Sequence, residues 1–147
     1  MALRVAGPSY GWLSVELELG DYRLGLNASM VLNDPLRELF DWLTCDDLSD
    51  HGLRRVCLWR EPEGYAVDVV AISHDTLSVT VLFDESFLPP MSGHSMMFRH
   101  RCFVKGEIFA RAIARGLREW FDGATDTKLR EGDRERYRSM LDAAISE

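Results

Sequence analysis

The chain has 147 residues, of which 46% are hydrophobic and 28% charged, and its formal net charge is −7. This composition excludes an intrinsically disordered chain, and the length predicts a single domain over residues 1–147 that folds without a cofactor or a disulfide frame. The apolar runs are too short to cross a bilayer, and residues 1–11 do not resemble a signal peptide. We therefore expect a soluble, cytoplasmic protein that has no membrane partner.

Negative charge is concentrated in the first two thirds of the chain. Residues 1–100 contain 15 acidic side chains against 7 Lys and Arg, whereas residues 101–147 contain 9 against 10. Nonspecific nucleic-acid binding needs a basic stripe, so an acidic body argues against a nucleic-acid partner. It favours either a cationic protein partner or simple solubility.

Alternating apolar residues predict a largely antiparallel sheet. One hairpin is predicted from two alternating runs joined by a Gly-Asp turn, and further strands follow in the region 53–83. Turn signatures separate these further strands at 61–64 and 73–75. The predicted strands are 13–19, 22–26, 54–58, 65–71 and 77–83, with one more short strand at 97–103.

Three segments have the pattern of amphipathic helices. The first follows Asp34, which is placed to cap a helix, and the proline after it suits the first turn, so we predict a helix over 35–45. A clear apolar stripe predicts a second helix over 105–121, and a weaker stripe predicts a third over 127–145. This order of elements indicates an α+β fold, a mostly antiparallel meander sheet with helices packed on one face. We expect the 105–121 helix to cover the 53–83 strands.

Reactive residues are sparse and scattered. The sequence has no phosphate-binding glycine motif, and its four histidines and three cysteines lack metal-site spacing, so we expect no cofactor, no metal and no catalytic residue. The odd number of cysteines and their apolar neighbours predict reduced structural thiols. One alternative stays open: a small enzyme or ligand-binding domain whose site lies under the 105–121 helix and is lined by Asp68, His100 and Cys102.

The segment 34–50 concentrates acidic side chains, with six acidic residues against one basic residue. Glu38 and Asp41 are three residues apart on the predicted helix and share a face away from the apolar stripe. Such a surface steers a basic partner protein, and Trp42 beside it is a candidate interface anchor. The candidate partner-binding residues are Asp34, Glu38, Asp41, Trp42, Asp46, Asp47 and Asp50.

Two local motifs resemble those of small uncharacterised bacterial proteins, including immunity proteins found beside secreted toxins: the helix start LNDPL at 32–36 and the strand turn WREPEGY at 59–65. The resemblance extends over residues 12–121, and its motifs are structural. It implies a small, acidic, noncatalytic protein that binds a cognate toxin domain, and it assigns no functional residue. We therefore predict an immunity-type protein whose acidic surface neutralises a basic toxin domain.

A third possibility is an uncharacterised homo-oligomeric structural protein. The segment 91–98 is rich in Met, and Met-rich surfaces repack readily against partners. A homodimer would use this segment as its interface.

Overall fold

The computed structural model of the chain describes residues 1–31, 33–43, 52–60, 63–85, 96–123 and 131–145, and the side chains of all of these except 131, 132 and 145. Seven strands and three helices form within these ranges. In chain order they are β1 (Ala2–Ser9), β2 (Trp12–Leu19), β3 (Tyr22–Ser29), α1 (Pro35–Asp41), β4 (Arg54–Arg60), β5 (Glu63–Ala71), β6 (Thr76–Asp84), β7 (Met97–Lys105), α2 (Gly106–Gly123) and α3 (Glu131–Ile145).

The predicted α+β class is confirmed, and every strand pairing is antiparallel. The strands of the described residues form two sheets: sheet A in the order β1-β2-β3 and sheet B in the order β4-β5-β6-β7. β3 and β4 contact each other where the two sheets meet. Sheet B therefore has β4 at one edge and β7 at the other.

The prediction of which strands α2 covers was wrong. We expected the 53–83 strands, but α2 contacts β1 most extensively and meets β6 and β7 over smaller areas. The approach to β1 is so close that a Cβ atom on Gly116 would overlap the Leu3 carbonyl, and Trp120 Nε1 donates a hydrogen bond to the Gly7 carbonyl at 2.6 Å. Strand β1 was missed because its alternation is short and a Gly-Pro pair, which usually marks a turn, lies inside it.

The two smaller helices pack against each other and against α2. α1 ends at Asp41, short of the predicted end at residue 45, and residues 44 and 45 lie outside the described part of the chain. On α3, Tyr137 is buried and stacks on Phe40 with ring centroids 4.0 Å apart. The weak stripe predicted for the last helix thus packs on α2, and its Tyr137 stacks on α1, while the buried Leu141 adds to its apolar face.

Strand β5 begins inside the segment predicted to be a turn at 61–64. The first two residues of that segment lie outside the described residues, and Glu63 and Gly64 already belong to β5, where Gly64 pairs with Trp59 of β4. A Cβ atom on Gly64 would lie 2.5 Å from Trp59 Cε3. Glycine is needed here because the indole ring of Trp59 crosses directly over it, and not because of a turn conformation.

Candidate functional site

The start of α1 has the cap that the sequence predicts. Asp34 is exposed, and its Oδ1 accepts a hydrogen bond from the Arg37 backbone N–H at 3.0 Å. This bond satisfies one of the backbone donors that the first helical turn leaves free. Asp34 is therefore a capping residue whose carboxylate also remains on the surface.

Glu38 does not lie on the exposed face predicted from its spacing to Asp41. Its Oε2 accepts a hydrogen bond from the Cys57 N–H at 2.7 Å, and its Oε1 accepts one from Asn33 Nδ2 at 3.1 Å. Asn33 Nδ2 also donates to the Cys57 carbonyl at 2.7 Å. Glu38 and Asn33 thus satisfy both backbone groups of Cys57 on the outer edge of β4.

The environment of Glu38 shifts its protonation equilibrium. Partial burial raises the pKa of Glu38, the nearby Asp34 and Asp41 carboxylates add to that rise, and the hydrogen bonds from the Cys57 N–H and from Asn33 oppose it without cancelling it. A half-buried carboxylate with two fixed donors holds a backbone in place. It is poorly placed to attract a basic partner, because its oxygen atoms already accept bonds from within the chain.

Trp42 lies in the core and is only 3% exposed. Its ring packs against Phe109 of α2, with centroids 5.4 Å apart. A buried Trp offers no surface to a partner. Trp42 therefore fixes the end of α1 on α2 and does not serve as an interface anchor for a second protein. The large apolar surface of Trp makes this the more favourable place for it.

Asp41 remains at the surface between two guanidinium groups. The distance from its carboxylate to Arg37 is 4.0 Å and to Arg136 of α3 is 3.9 Å. These ion pairs offset part of the negative charge of the predicted acidic face. The other three residues predicted to bind a partner lie outside the described part of the chain: Asp46, Asp47 and Asp50.

The alternative site lined by Asp68, His100 and Cys102 does not assemble. Asp68 pairs with Thr80 in the register of sheet B, and Thr80 pairs with Arg101. Because side chains alternate between the faces of a sheet, Asp68 shares a face with Arg101, and His100 and Cys102 lie on the opposite face. Asp68 is instead held by Arg55 of β4.

That ion pair is bidentate and largely shielded from solvent. Arg55 Nε donates to Asp68 Oδ1 at 2.6 Å and its Nη2 donates to Oδ2 at 2.8 Å, and the Asp68 side chain is 13% exposed. A carboxylate held by two charge-assisted hydrogen bonds is a weak candidate for a general base. It links β4 to β5 across the solvent-facing side of sheet B.

The described cysteines have the properties of structural thiols. Burial raises the pKa of Cys57 to about 11, with a further contribution from the nearby Glu38 carboxylate. Burial also raises the pKa of Cys102. Both side chains are free thiols, and at neutral pH they stay protonated and therefore weakly nucleophilic. Cys45 lies outside the described residues.

The most exposed aromatic surface of a described strand lies on β7. Phe98 and Phe103 are 61% and 66% exposed. Arg101 and Lys105 alternate with Phe103 on the same face, and a β-bulge at Arg99 brings Phe98 onto that face opposite Leu82. We call Phe98, Arg101, Phe103 and Lys105 the β7 face.

Sequence reasoning predicted a strand here but did not identify its exposed face. The available signal was the run FRHRCFVK at 98–105, in which aromatic and basic residues are interleaved without one acidic residue. In an otherwise acidic chain, such a basic run indicates a surface that attracts negatively charged groups.

Comparison with known proteins adds no relative. No protein-family model matches the chain, and no curated protein or solved structure is significantly similar to it. Among the residues that the structure describes, no helix combines the length and apolar character needed to span a membrane, and no group of three or more His, Cys, Asp or Glu side chains could hold a metal ion. The resemblance to immunity proteins therefore stays a prediction.

Proposed function

We propose that this chain is a noncatalytic protein-binding protein of the immunity type, which occludes a cognate toxin domain. The observation that carries the proposal is the β7 face, where two phenylalanines stand more than half exposed on one strand. Burying such a side chain contributes about 1.5–3 kcal/mol, and aromatic residues with arginine are enriched where proteins bind one another. Exposed apolar surface of this kind has an unfavourable free energy in water, and burying it in a complex recovers that free energy.

The noncatalytic part of the proposal is supported by how the candidate reactive groups are arranged. Asp68 is held by Arg55 on one face of sheet B, while His100 and Cys102 lie on the other. The thiol of Cys57 has a pKa of about 11, far from that of an activated nucleophile. The Arg55–Asp68 ion pair links β4 to β5 instead.

The acidic surface remains part of the proposal. Asp34 caps α1 and Asp41 pairs with Arg37 and Arg136, and both carboxylates lie at the surface. In this proposal the negative charge that remains on this surface binds a basic region of a toxin domain. α1 contacts β4, whereas the β7 face lies at the other edge of sheet B. A partner that touches both surfaces would meet opposite charges at the two edges of one sheet.

The test is direct binding to a candidate toxin, the purified product of the neighbouring gene, by isothermal titration calorimetry. We expect a one-to-one complex that weakens in a Phe103→Ser variant and in an Asp34→Lys/Asp41→Lys variant. Glu119→Lys on α2 is the control, because Glu119 is an exposed acid on a helix that carries neither surface. If no neighbouring-gene product forms a complex with the wild-type chain, the proposed function is wrong.

A homo-oligomer is the second candidate, because Met97 is 38% exposed and Phe98 is more exposed still. Both lie at the end of the Met-rich segment 91–98, whose first five residues are outside the described range. Sedimentation velocity over a range of concentrations separates the candidates: the binding proposal expects a monomer, and a concentration-dependent dimer supports the homo-oligomer.

A further inference from the structure

The outer edge of β7 is open in the described structure. β7 is the last strand of sheet B, and on its other side it pairs with β6 only. No strand in the described ranges pairs with that outer edge, and no backbone hydrogen bond outside the ladders reaches it from another described residue. An edge strand with unpaired N–H and C=O groups is a template for one more strand.

The charge of β7 is opposite to that of the chain as a whole. Its nine residues include Arg99, Arg101 and Lys105 and no acidic side chain, although the formal net charge of the chain is −7. Arg99 lies over the Phe83 ring at 4.6 Å, and Arg101 donates from Nε to Thr80 Oγ1 at 3.0 Å. Neither guanidinium forms a salt bridge with a described carboxylate, and Lys105 has only a 3.8 Å pair with the exposed Asp75.

Protection of the edge explains only part of this arrangement. Charged side chains on an edge strand prevent unwanted pairing between molecules, and arginine or lysine serves that purpose. Protection does not call for Phe98 and Phe103, which are apolar, large and exposed. Basic and aromatic side chains together on one edge favour a particular partner instead of excluding all partners.

We propose that the outer edge of β7 binds an extended acidic segment of the partner protein as an added antiparallel strand. This inference rests on the proposed function and names the class of segment that the β7 face accepts. The backbone of the added strand would pair with the free edge of β7. Its alternate acidic side chains would lie beside Arg101 and Lys105, and its alternate apolar side chains would cover the opposite face next to Cys102 and Val104.

A second copy of the chain is a poorer occupant of the same edge. Two β7 strands paired antiparallel would bring a strand with three basic residues against an identical strand with three basic residues. Like charges on directly opposite residues of neighbouring strands are destabilising. An acidic segment replaces that repulsion with attraction.

The probe is a fluorescein-labelled peptide of alternating Glu and Val, equal in length to β7, whose binding is followed by fluorescence anisotropy. We expect saturable binding that weakens as salt rises, and binding at least about tenfold weaker for the matched peptide of alternating Lys and Val. Equal binding of the two peptides would overturn the assignment of an acidic segment.

Protein variants locate the site. Arg101→Glu/Lys105→Glu should weaken binding of the acidic peptide by at least about tenfold. Arg111→Glu/Arg115→Glu on the exposed side of α2 makes the same change in net charge and should not. Because Arg101 also bonds Thr80, Phe103→Ser is the second variant, and circular dichroism verifies the fold of each. Equal loss in the α2 variant would place binding elsewhere and overturn the proposal.

Backbone methylation tests the strand itself. In an added strand, alternate N–H groups point toward β7 and toward solvent. Of two peptides N-methylated at odd or at even positions, one should lose binding and the other retain it. If both bind equally well, the peptide contacts side chains only and strand addition is wrong. That result leaves the proposed function standing, since the toxin complex is measured separately.

A second copy of the chain is the competing occupant of the β7 edge. If the wild-type chain sediments as a dimer and Phe103→Ser is a monomer, the edge belongs to a second copy and the proposal fails. A monomeric wild-type chain that binds the acidic peptide supports it.

Discussion

The two edge strands of sheet B differ in whether their outward backbone groups are bonded by other parts of the described chain. At β4, Glu38 and Asn33 bond both backbone groups of Cys57, as a neighbouring strand would at that residue. At β7 no such cover exists in the described residues, and the strand presents phenylalanine and basic side chains to its surroundings. At Cys57 the β4 edge is closed by the chain's own polar side chains, so the acidic Glu38 serves the fold. The other edge is open, so its exposed side chains are available for binding.

The largest expected effect comes from removing the cover of β4. Glu38→Ala leaves the half-buried Cys57 N–H without its 2.7 Å acceptor and should lower the free energy of unfolding by about 1–3 kcal/mol, the range for a buried donor left without a partner. Urea denaturation measures the change, and amide exchange at Cys57 should become faster. Glu119→Ala, an exposed helical Glu, is the control and should change stability by less than about 0.5 kcal/mol. Equal effects of the two variants would show that Glu38 does not close the edge.

The next largest expected loss of stability comes from removing the N-terminal cap of α1, the helix that carries Glu38. Asp34→Ala removes the acceptor for the Arg37 N–H and should cost about 1 kcal/mol, the usual value for a lost N-terminal cap. Asp34→Ser should restore most of that stability, because a serine hydroxyl also accepts a cap bond. Thermal unfolding of the three proteins tests this, and an Asp34→Ser variant no more stable than Asp34→Ala would contradict the capping role.

The contrast between the edges also explains what could be learned from the sequence. Alternation reveals a strand such as 97–103 because the period of two is a local property, and Asp34 with the following proline reveals a helix start for the same reason. The spacing of Glu38 to Asp41 gives a shared helical face but does not tell what lies opposite each residue. Glu38 faces Cys57, 19 residues later in the chain, and only the tertiary structure brings them together.

Local sequence patterns also could not predict which large side chains are buried. Trp42 follows the last residue of α1, and its sequence neighbours give no sign of Phe109 on α2, against which it packs. Phe103 lies in an alternating strand pattern like that of buried strand residues, and only the basic residues at i−2 and i+2 distinguish its surroundings. Which aromatic side chain is covered depends on the layer packed against each strand, and that layer is set by the missed contact between α2 and β1.

A pH series measures how much the closed edge depends on the charge of Glu38. Burial raises the pKa of Glu38 above 4.5 in the folded state, so this side chain contributes most to stability below pH 4.5 and loses that contribution as pH rises through the folded pKa. The difference in unfolding free energy between wild type and Glu38→Gln should therefore fall as pH rises from 4.5 to neutrality. It should be smaller than the Glu38→Ala effect, because glutamine keeps an acceptor for the Cys57 N–H. A difference that grows with pH would contradict the sign.

The smallest expected effect on stability belongs to the open edge. Phe103 is 66% exposed, so Phe103→Ser removes little buried surface and should change the free energy of unfolding by less than about 1 kcal/mol, the span of strand preferences. Urea denaturation at two protein concentrations measures this and detects a contribution from self-association. A loss above about 2 kcal/mol would mean that Phe103 is covered in solution, because only a packed aromatic side chain has such an effect. A small loss of stability together with a large loss of peptide binding is the combination that a binding edge requires, since the side chain then acts on a partner and not on the fold.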